Sequence, residues 1–163
     1  HSIPIWSVSV AARLDGTAVA GAVFSPAVRE MFAGATGLGL VLNGRPLVLP
    51  TPATELGAAL GLIGWPSGDP DPGRGDVIAD LISRSGRLRS PGSPALGLAW
   101  TAVGRADFAY YEQSFHDWDV AAGLVMCAEA GLRIRLDPNH GGPHRLLVAR
   151  SELYDELETI TFR

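Results

Sequence analysis

Two dipeptide turns in the first fifty residues, Asp15-Gly16 and Asn43-Gly44, constrain the fold of this chain more than any other feature. Both positions of such a tight hairpin turn need positive φ, which Asn, Asp and Gly tolerate best. The turns predict hairpins that pair residues 3–14 with 18–24 and residues 38–42 with 45–49, and a further strand over 29–36. We therefore expect an antiparallel meander over residues 1–50.

The first predicted strand shows a period of two along its length. Trp6, Val8, Val10 and Ala12 fall on one face, and Ser7, Ser9 and Ala11 fall on the other. Alternation of this kind with β-branched residues is typical of a strand rather than a helix.

The sequence pattern changes after Pro50-Thr51-Pro52. Short apolar runs predict strands over residues 58–64, 87–90, 107–111, 133–136 and 146–149. Helices are predicted over residues 76–84, 93–103, 117–130 and 151–160, with Gly131 and Ser151 as end caps and a loop rich in Pro and Gly over 65–74.

Alternating strands and helices favour parallel pairing through crossover helices. The expected fold class is therefore α/β, an antiparallel meander followed by an α/β layer. We assign residues 1–50 to the remainder of an N-terminal antiparallel-sheet subdomain and residues 51–163 to a C-terminal α/β subdomain.

Charge and composition exclude several classes of protein. With a net charge of −4, the chain lacks the basic surface that non-specific nucleic-acid binding requires. No apolar run reaches the length of a membrane span. The single cysteine, Cys127, cannot form an internal disulfide, which suits the cytoplasm. Because the chain begins at His1 with a strand and no lead-in, we expect a segment upstream of it.

Residues 110–119 form the first candidate site. Glu112, His116, Asp117 and Asp119 lie on either side of a predicted helix start. An aspartate there can cap the helix, because its oxygens accept from unpaired backbone N–H groups. It can also bind a hard cation such as Mg²⁺, although one aspartate needs further ligands. The pattern alone favours the cap.

The second candidate site is Gly92-Ser93-Pro94. Ser93 can cap the following helix with Pro94 in its first turn, or the turn can present N–H groups and a hydroxyl to a ligand. Here too the residues alone favour the cap.

Two other groups of residues have simpler interpretations. His140 and His144 lack a nearby cysteine or acidic partner, so a solvated loop is favoured over a zinc site. Gly34, Gly37 and Gly39 do not match the dinucleotide-binding spacing and indicate strand connections.

A resemblance to a known family joins these segments. Trp118-Asp119-Val120-Ala121-Ala122-Gly123, followed by Glu129-Ala130-Gly131, resembles the W-D-x-A-A-G and E-A-G-G signatures of the inositol monophosphatase family. Gly92 to Leu96 is similar to the G-S-x-A-L motif of that family. Further matches, in the same order along nearly the whole chain, are Ser25-Pro26, Asn43-Gly44-Arg45-Pro46, Gly104-Arg105, Asp107 and Glu112.

The resemblance implies an αβαβα sandwich, a homodimer and Mg²⁺-dependent hydrolysis of a small phosphate monoester by a metal-activated water. The substrate would be similar to inositol phosphate or histidinol phosphate. Asp119 matches a metal ligand of the family. Glu112, Gly92 and Ser93 match residues that face the substrate.

The sequence also departs from the family pattern. Leu132, Pro94 and the added residue at Phe108-Ala109 differ from the motifs, and Asp15-Gly16-Thr17 imitates only the end of the D-P-x-D-G-T metal motif. We interpret Asp15-Gly16 as a turn and expect the other metal ligands upstream. We expect the parent protein to be a phosphatase and these 163 residues alone to be inactive. The alternative is a non-catalytic relic or interaction module without a complete metal site.

Overall fold

The computed structural model describes residues 2–65, 72–85, 87–113, 115–137 and 144–162. The strands are β1 (Val8–Leu14), β2 (Thr17–Ser25), β3 (Glu30–Ala35), β4 (Gly39–Leu42), β5 (Arg45–Pro46), β6 (Gly61–Gly64), β7 (Leu88–Arg89), β8 (Phe108–Gln113), β9 (Arg133–Asp137) and β10 (His144–Ala149). The helices are α1 (Pro72–Ser85), α2 (Pro94–Ala102), α3 (Asp117–Glu129) and α4 (Ser151–Thr161), with a 3₁₀ turn at Leu56–Ala58.

The first five strands form sheet A, which is antiparallel throughout and follows chain order from β1 to β5. Both predicted turns are present, with positive φ at Asp15, Gly16, Asn43 and Gly44. The predicted meander is therefore confirmed. Two strands are shorter than expected: β1 starts at Val8, which is paired with Phe24 near the end of β2, and β5 ends at a proline, which has no N–H to donate.

The other five strands form sheet B in the order β7-β6-β8-β10-β9. Strand β6 pairs in parallel with β7 and β8, as predicted. The expectation of parallel pairing is wrong for β10, which runs antiparallel to both β8 and β9. Residues 138–143 join β9 to β10, and a connection this short allows only an antiparallel neighbour.

Alternate residues of sheet B serve two separate cores. Ala109 and Tyr111 of β8 pack with α2 and α3, whereas Phe108 and Tyr110 pack with α1 and α4. Sheet B therefore lies between two helical layers. Sheet A contacts α3 with one face, which gives the layer order sheet A, α2 with α3, sheet B, α1 with α4. This is an α/β sandwich, as the predicted fold class requires.

Helix α3 is closely packed on two sides. A Cβ atom added to Gly21 of β2 would lie 2.5 Å from the Cα of Ala122, and one added to Gly123 would lie 2.4 Å from the Cβ of Leu98 on α2. The absence of side chains at Gly21 and Gly123 therefore lets α3 fit between sheet A and α2.

The outer face of sheet A, which is the face turned away from α3, is apolar. Val8 and Val10 point outward and are 51% and 63% exposed, while Ser9 and Ala11 are half-buried against the core side. The predicted alternation in β1 is confirmed, and its larger apolar side chains are the ones on the outer face. Alanines of β2 and β3 continue this face as a shallow depression.

Several boundaries differ from the sequence-based expectation. Helix α1 begins at Pro72 rather than residue 76, because proline is well suited to a first helical turn. The strand expected over 58–64 begins only at Gly61, after the 3₁₀ turn. Ser151 is the first residue of α4, not its cap; Arg150 holds that position without a side-chain cap. Gly131 follows α3 with φ +72°, as expected of a helix end.

No helix among residues 72–85, 87–113, 115–137 and 144–162 is long and apolar enough to cross a membrane.

Candidate functional site

The carboxyl ends of the parallel strands β6, β7 and β8 meet at one edge of sheet B. Helices α1, α2 and α3 each begin just after one of these strands. Helix α1 packs on one face of the sheet, and α3 packs on the other. A crevice where neighbouring connections depart to opposite faces is the usual ligand position in sheets of this kind.

All four predicted site residues lie at this edge. Gly92 and Ser93 connect β7 to α2, Glu112 is near the end of β8, and Asp119 is in the first turn of α3. The sheet topology therefore brings together residues that are up to 27 positions apart (119 − 92) in the sequence.

Asp119 caps its own helix. Its Oδ2 accepts a hydrogen bond from the backbone N–H of His116 at 2.8 Å, and its side chain is half-exposed. The capping interpretation is therefore confirmed. The role of metal ligand stays a prediction.

The fit to Mg²⁺ is partial. A carboxylate held at a helix N-terminus is a suitable ligand for a hard cation. Neighbouring Asp117 is exposed and forms an ion pair with Arg13 of β1 at 3.0 Å. Within the described ranges, no group of three or more His, Cys, Asp or Glu side chains is placed to hold a metal. These residues supply one carboxylate and do not make a metal site by themselves.

Ser93 is the N-cap of α2. Its Oγ accepts a hydrogen bond from the N–H of Leu96 at 3.4 Å, and Pro94 is the first helical residue. Gly92 has φ +74°, a conformation that favours glycine. The Oγ atom of Ser7 lies 3.5 Å from that of Ser93, so the segment before β1 runs beside this turn.

Glu112 is at the same edge but points to the opposite face of sheet B from α3. Its Oε2 accepts a hydrogen bond from the Tyr110 hydroxyl at 2.8 Å, and its Oε1 lies 3.6 Å from Nε of Arg74 on α1. The side chains of Glu112 and Arg74 are only 12% and 13% exposed. Burial and the neighbouring carboxylate raise the pKa of Tyr110, so its phenol stays protonated and donates to Glu112.

An aromatic pair lies beside Asp119. The rings of His116 and Trp118 are stacked with centroids 4.2 Å apart and an interplanar angle of 25°. Trp118 is 66% exposed, so this pair forms part of the surface around the first turn of α3.

The predicted histidine loop falls largely outside the described residues, including His140. His144 itself begins β10, and its ring centroid is 5.1 Å from that of Phe115, so the expectation that it lies in a solvated loop is wrong. Strand pairing with Gln113 accounts for its position. Gly37 lies in the connection of β3 to β4 and Gly39 begins β4, as predicted, but Gly34 lies inside β3, so the prediction of a strand connection is wrong for Gly34.

Sequence reasoning missed three residues of this region: Ser7, Arg74 and Tyr110. The contact of Tyr110 with Glu112 could have been predicted, because residues two apart on a strand share a face. Arg74 lies in a stretch predicted to be a loop, and no local pattern connects it with Glu112. Only the packing of α1 on sheet B brings the two together.

A family model, the inositol monophosphatase family, matches residues 1–159. The chain is 38% identical over 163 residues to the inositol-1-monophosphatase SuhB of Mycobacterium tuberculosis, covering 96% of this chain and 56% of that protein. It is 33% identical over 137 residues to the inositol-1-monophosphatase of Mesorhizobium japonicum, covering 80% of this chain and 49% of that protein. The chain thus spans about half the length of these curated relatives.

Solved structures of similar proteins also match nearly the whole of this chain. The structure of Mycobacterium tuberculosis SuhB matches with a TM-score of 0.83 and 34% identity, over 96% of this chain and 63% of that chain. The Thermotoga maritima IMPase matches with a TM-score of 0.83 and 27% identity, over 99% of this chain and 63% of that chain.

Proposed function

The chain belongs to the inositol monophosphatase family, and from that membership we propose that the whole protein is a Mg²⁺-dependent phosphatase of a small phosphate monoester. The observation that carries the proposal is the position of Gly92, Ser93, Glu112 and Asp119 along one edge of sheet B, the carboxyl edge. The family match supports the roles of these residues, and the sheet topology supports a ligand site at the same edge.

Each of these residues has a proposed task that suits its chemistry. Asp119 contributes one carboxylate to Mg²⁺, held in place by the N–H of His116. Gly92 and Ser93 present the N-terminus of α2 to an anionic group. Glu112 accepts a hydrogen bond from a substrate hydroxyl. When bound, Mg²⁺ ions polarise a phosphoryl oxygen and lower the pKa of a bound water.

Phosphate release by the whole protein tests the proposal. Inositol 1-phosphate and histidinol phosphate are supplied with Mg²⁺ and then with a chelator. We expect release that requires Mg²⁺, and a loss of about 10²-fold or more in Asp119→Asn, as for removal of a group that holds transition-state charge. Asp117→Asn is the matched control, because Asp117 is exposed and paired with Arg13. Absence of Mg²⁺-dependent release from both esters would refute the proposal.

The same proposal has three corollaries. The 163 residues alone release no phosphate, since the described part of them offers Asp119 without further clustered ligands. The whole protein is a homodimer, which light scattering after gel filtration measures. It is cytoplasmic and binds neither nucleic acid nor membrane, consistent with the net charge of −4 on these 163 residues.

A second candidate function is a non-catalytic interaction module that retains the fold. The capping bond of Asp119 favours it, because that bond gives the aspartate a structural role without any metal. A relative in Pseudomonas aeruginosa, 33% identical over 80% of this chain, is named Nus factor SuhB. A folded whole protein that neither binds Mg²⁺ nor releases phosphate would favour this alternative.

A further inference from the structure

The Arg74–Glu112 pair has an unusual separation for a pair so little exposed. Nε of Arg74 is 3.6 Å from Oε1 of Glu112, whereas direct N–H···O hydrogen bonds are about 2.7 to 3.2 Å long. The other carboxylate oxygen, Oε2, already accepts from the Tyr110 hydroxyl at 2.8 Å. Oε2 of Glu112 is therefore held by Tyr110, while Oε1 lies beside the guanidinium at ion-pair distance without a direct hydrogen bond to Nε.

A ligand hydroxyl placed beside this pair suits it, because a hydroxyl can donate and accept at once. It can donate to Oε1 of Glu112 and accept from the guanidinium of Arg74. An ammonium group can only donate, and it would meet a second positive charge beside the carboxylate. Arg74 therefore favours the binding of a hydroxyl beside Glu112 and disfavours the binding of an ammonium there.

The position of Arg74 is set by the fold. It lies in the first turn of α1, and α1 is fixed to sheet B through Val77 and Leu81, which are buried in the same core as Tyr110. The guanidinium is thus held at the carboxyl edge of the sheet, next to the end of β8.

We propose that Arg74 is a specificity-determining residue that adapts the Glu112 subsite to neutral hydroxyl groups and disfavours phosphate esters carrying an ammonium. The inference rests on the proposed phosphatase function and narrows it, because inositol phosphate carries hydroxyls and histidinol phosphate carries an ammonium. It assigns to Arg74 an effect on substrate choice, distinct from metal binding by Asp119.

The test uses two esters that differ at one group: glycerol 1-phosphate and 2-aminopropane-1,3-diol phosphate, in which an ammonium replaces the hydroxyl. For the whole protein with Mg²⁺, we expect kcat/KM to favour the glycerol ester. In Arg74→Gln this preference falls by roughly tenfold, mainly through KM, since one nearby charge in a partly buried site is removed. Arg74→Lys keeps the charge, so it should retain most of the preference for the glycerol ester.

Arg84→Gln is the matched control. Arg84 is on the same helix and pairs with Glu156 on the surface at 3.1 Å, so its loss leaves the preference unchanged. Should Arg74→Gln fail to fold, Arg74→Met serves instead. It keeps a side chain of similar length, removes the charge, and is expected to reduce the preference for the glycerol ester in the same way. An unchanged preference in a folded variant overturns the proposal.

Calorimetric binding of the same two esters separates the two hypotheses. A binding preference that falls in Arg74→Gln, without turnover, contradicts the phosphatase function and supports the role of Arg74. Turnover without any effect of Arg74→Gln contradicts the role of Arg74 alone. Binding of neither ester overturns both.

Discussion

Sheets A and B are both apolar on two faces, but among the described residues only sheet B has helices on both. Consecutive residues Leu146 and Leu147 of β10 face opposite sides of sheet B, and neither has any exposed surface. In sheet A, Val23 is fully buried against the helices, whereas Val10 on the other face is 63% exposed. Apolar patterning on both faces therefore does not by itself create two cores. In the described structure, α3 and α2 stabilise sheet A from one side only.

The largest expected effect comes from truncating a core side chain of sheet B. Leu147→Ala should lower the free energy of unfolding by about 2 to 5 kcal/mol, because it leaves a cavity between β10 and the helices α1 and α4. Val10→Ala, on the outer face of sheet A, should change it by less than about 0.5 kcal/mol. Urea unfolding measures both. Similar losses for the two variants would show that the outer face is covered.

The contact of sheet A with α3 should tolerate no added atom. Gly21→Ala would place a Cβ atom against the backbone of Ala122, which cannot rotate away, so we expect a loss of about 1 to 3 kcal/mol. Gly75→Ala in α1 is the control, because a Cβ there meets nothing within 4 Å. It should stabilise the protein by about 0.5 to 1 kcal/mol through helix propensity. Thermal unfolding of the two variants decides whether sheet A and α3 are as close as described.

The two faces of β8 should respond differently to the loss of a hydroxyl. Tyr110→Phe removes the bond to the Glu112 carboxylate and should cost about 1.5 kcal/mol. The Tyr111 hydroxyl is buried against Gly97 and has no hydrogen-bond partner in the described part of the chain. Tyr111→Phe should therefore be neutral or stabilising by up to about 1 kcal/mol. A clear loss in Tyr111→Phe would indicate a partner for that hydroxyl.

The smallest effect concerns the attachment of sheet A to the end of α3. The N–H groups of Gly37 and Gly39 donate to the Glu129 carboxylate at 2.9 and 3.0 Å and hold its pKa below the ordinary value of 4.5. A lowered pKa in the folded state stabilises the protein above the unfolded value, and this contribution is lost as the pH falls through the folded pKa. Glu129→Gln should therefore be less stable than the unmodified protein near neutral pH, with the difference vanishing in acid. Unfolding midpoints from about pH 6 to about pH 3 measure this.

Local features of the fold could be predicted from the sequence because their causes are local. Asp15-Gly16 and Asn43-Gly44 set their turns through backbone conformation alone. The helices at 94–102 and 117–129 follow from apolar content and capping residues. The antiparallel pairing of β10 with β9 follows from their short connection and was equally predictable. The pairing of β10 with β8 was not, because it depends on which strand fills the position beside β8.

The candidate site was predicted in part, and the limit has a physical cause. Family motifs locate Ser93, Glu112 and Asp119, and the parallel strands explain why they share an edge. Arg74 reaches Glu112 through tertiary packing, which leaves no pattern in the sequence. The motifs also do not show that Glu112 points to one face of sheet B while Asp119 lies in a helix that packs on the other face.

The close packing of α3 gives the A-A-G part of the signature a structural meaning. Ala122 lies against Gly21, and Gly123 lies against Leu98, so these small residues set the distance of the helix from sheet A and α2. The position of Asp119, one turn earlier, depends on both contacts. A random-mutagenesis screen scored by loss of the proposed phosphatase activity would therefore recover Gly21, which has no functional side chain, alongside the residues of the candidate site. In the resulting map of positions that do not tolerate substitution, Gly21, which only sets a packing distance, could not be distinguished from a metal ligand such as Asp119.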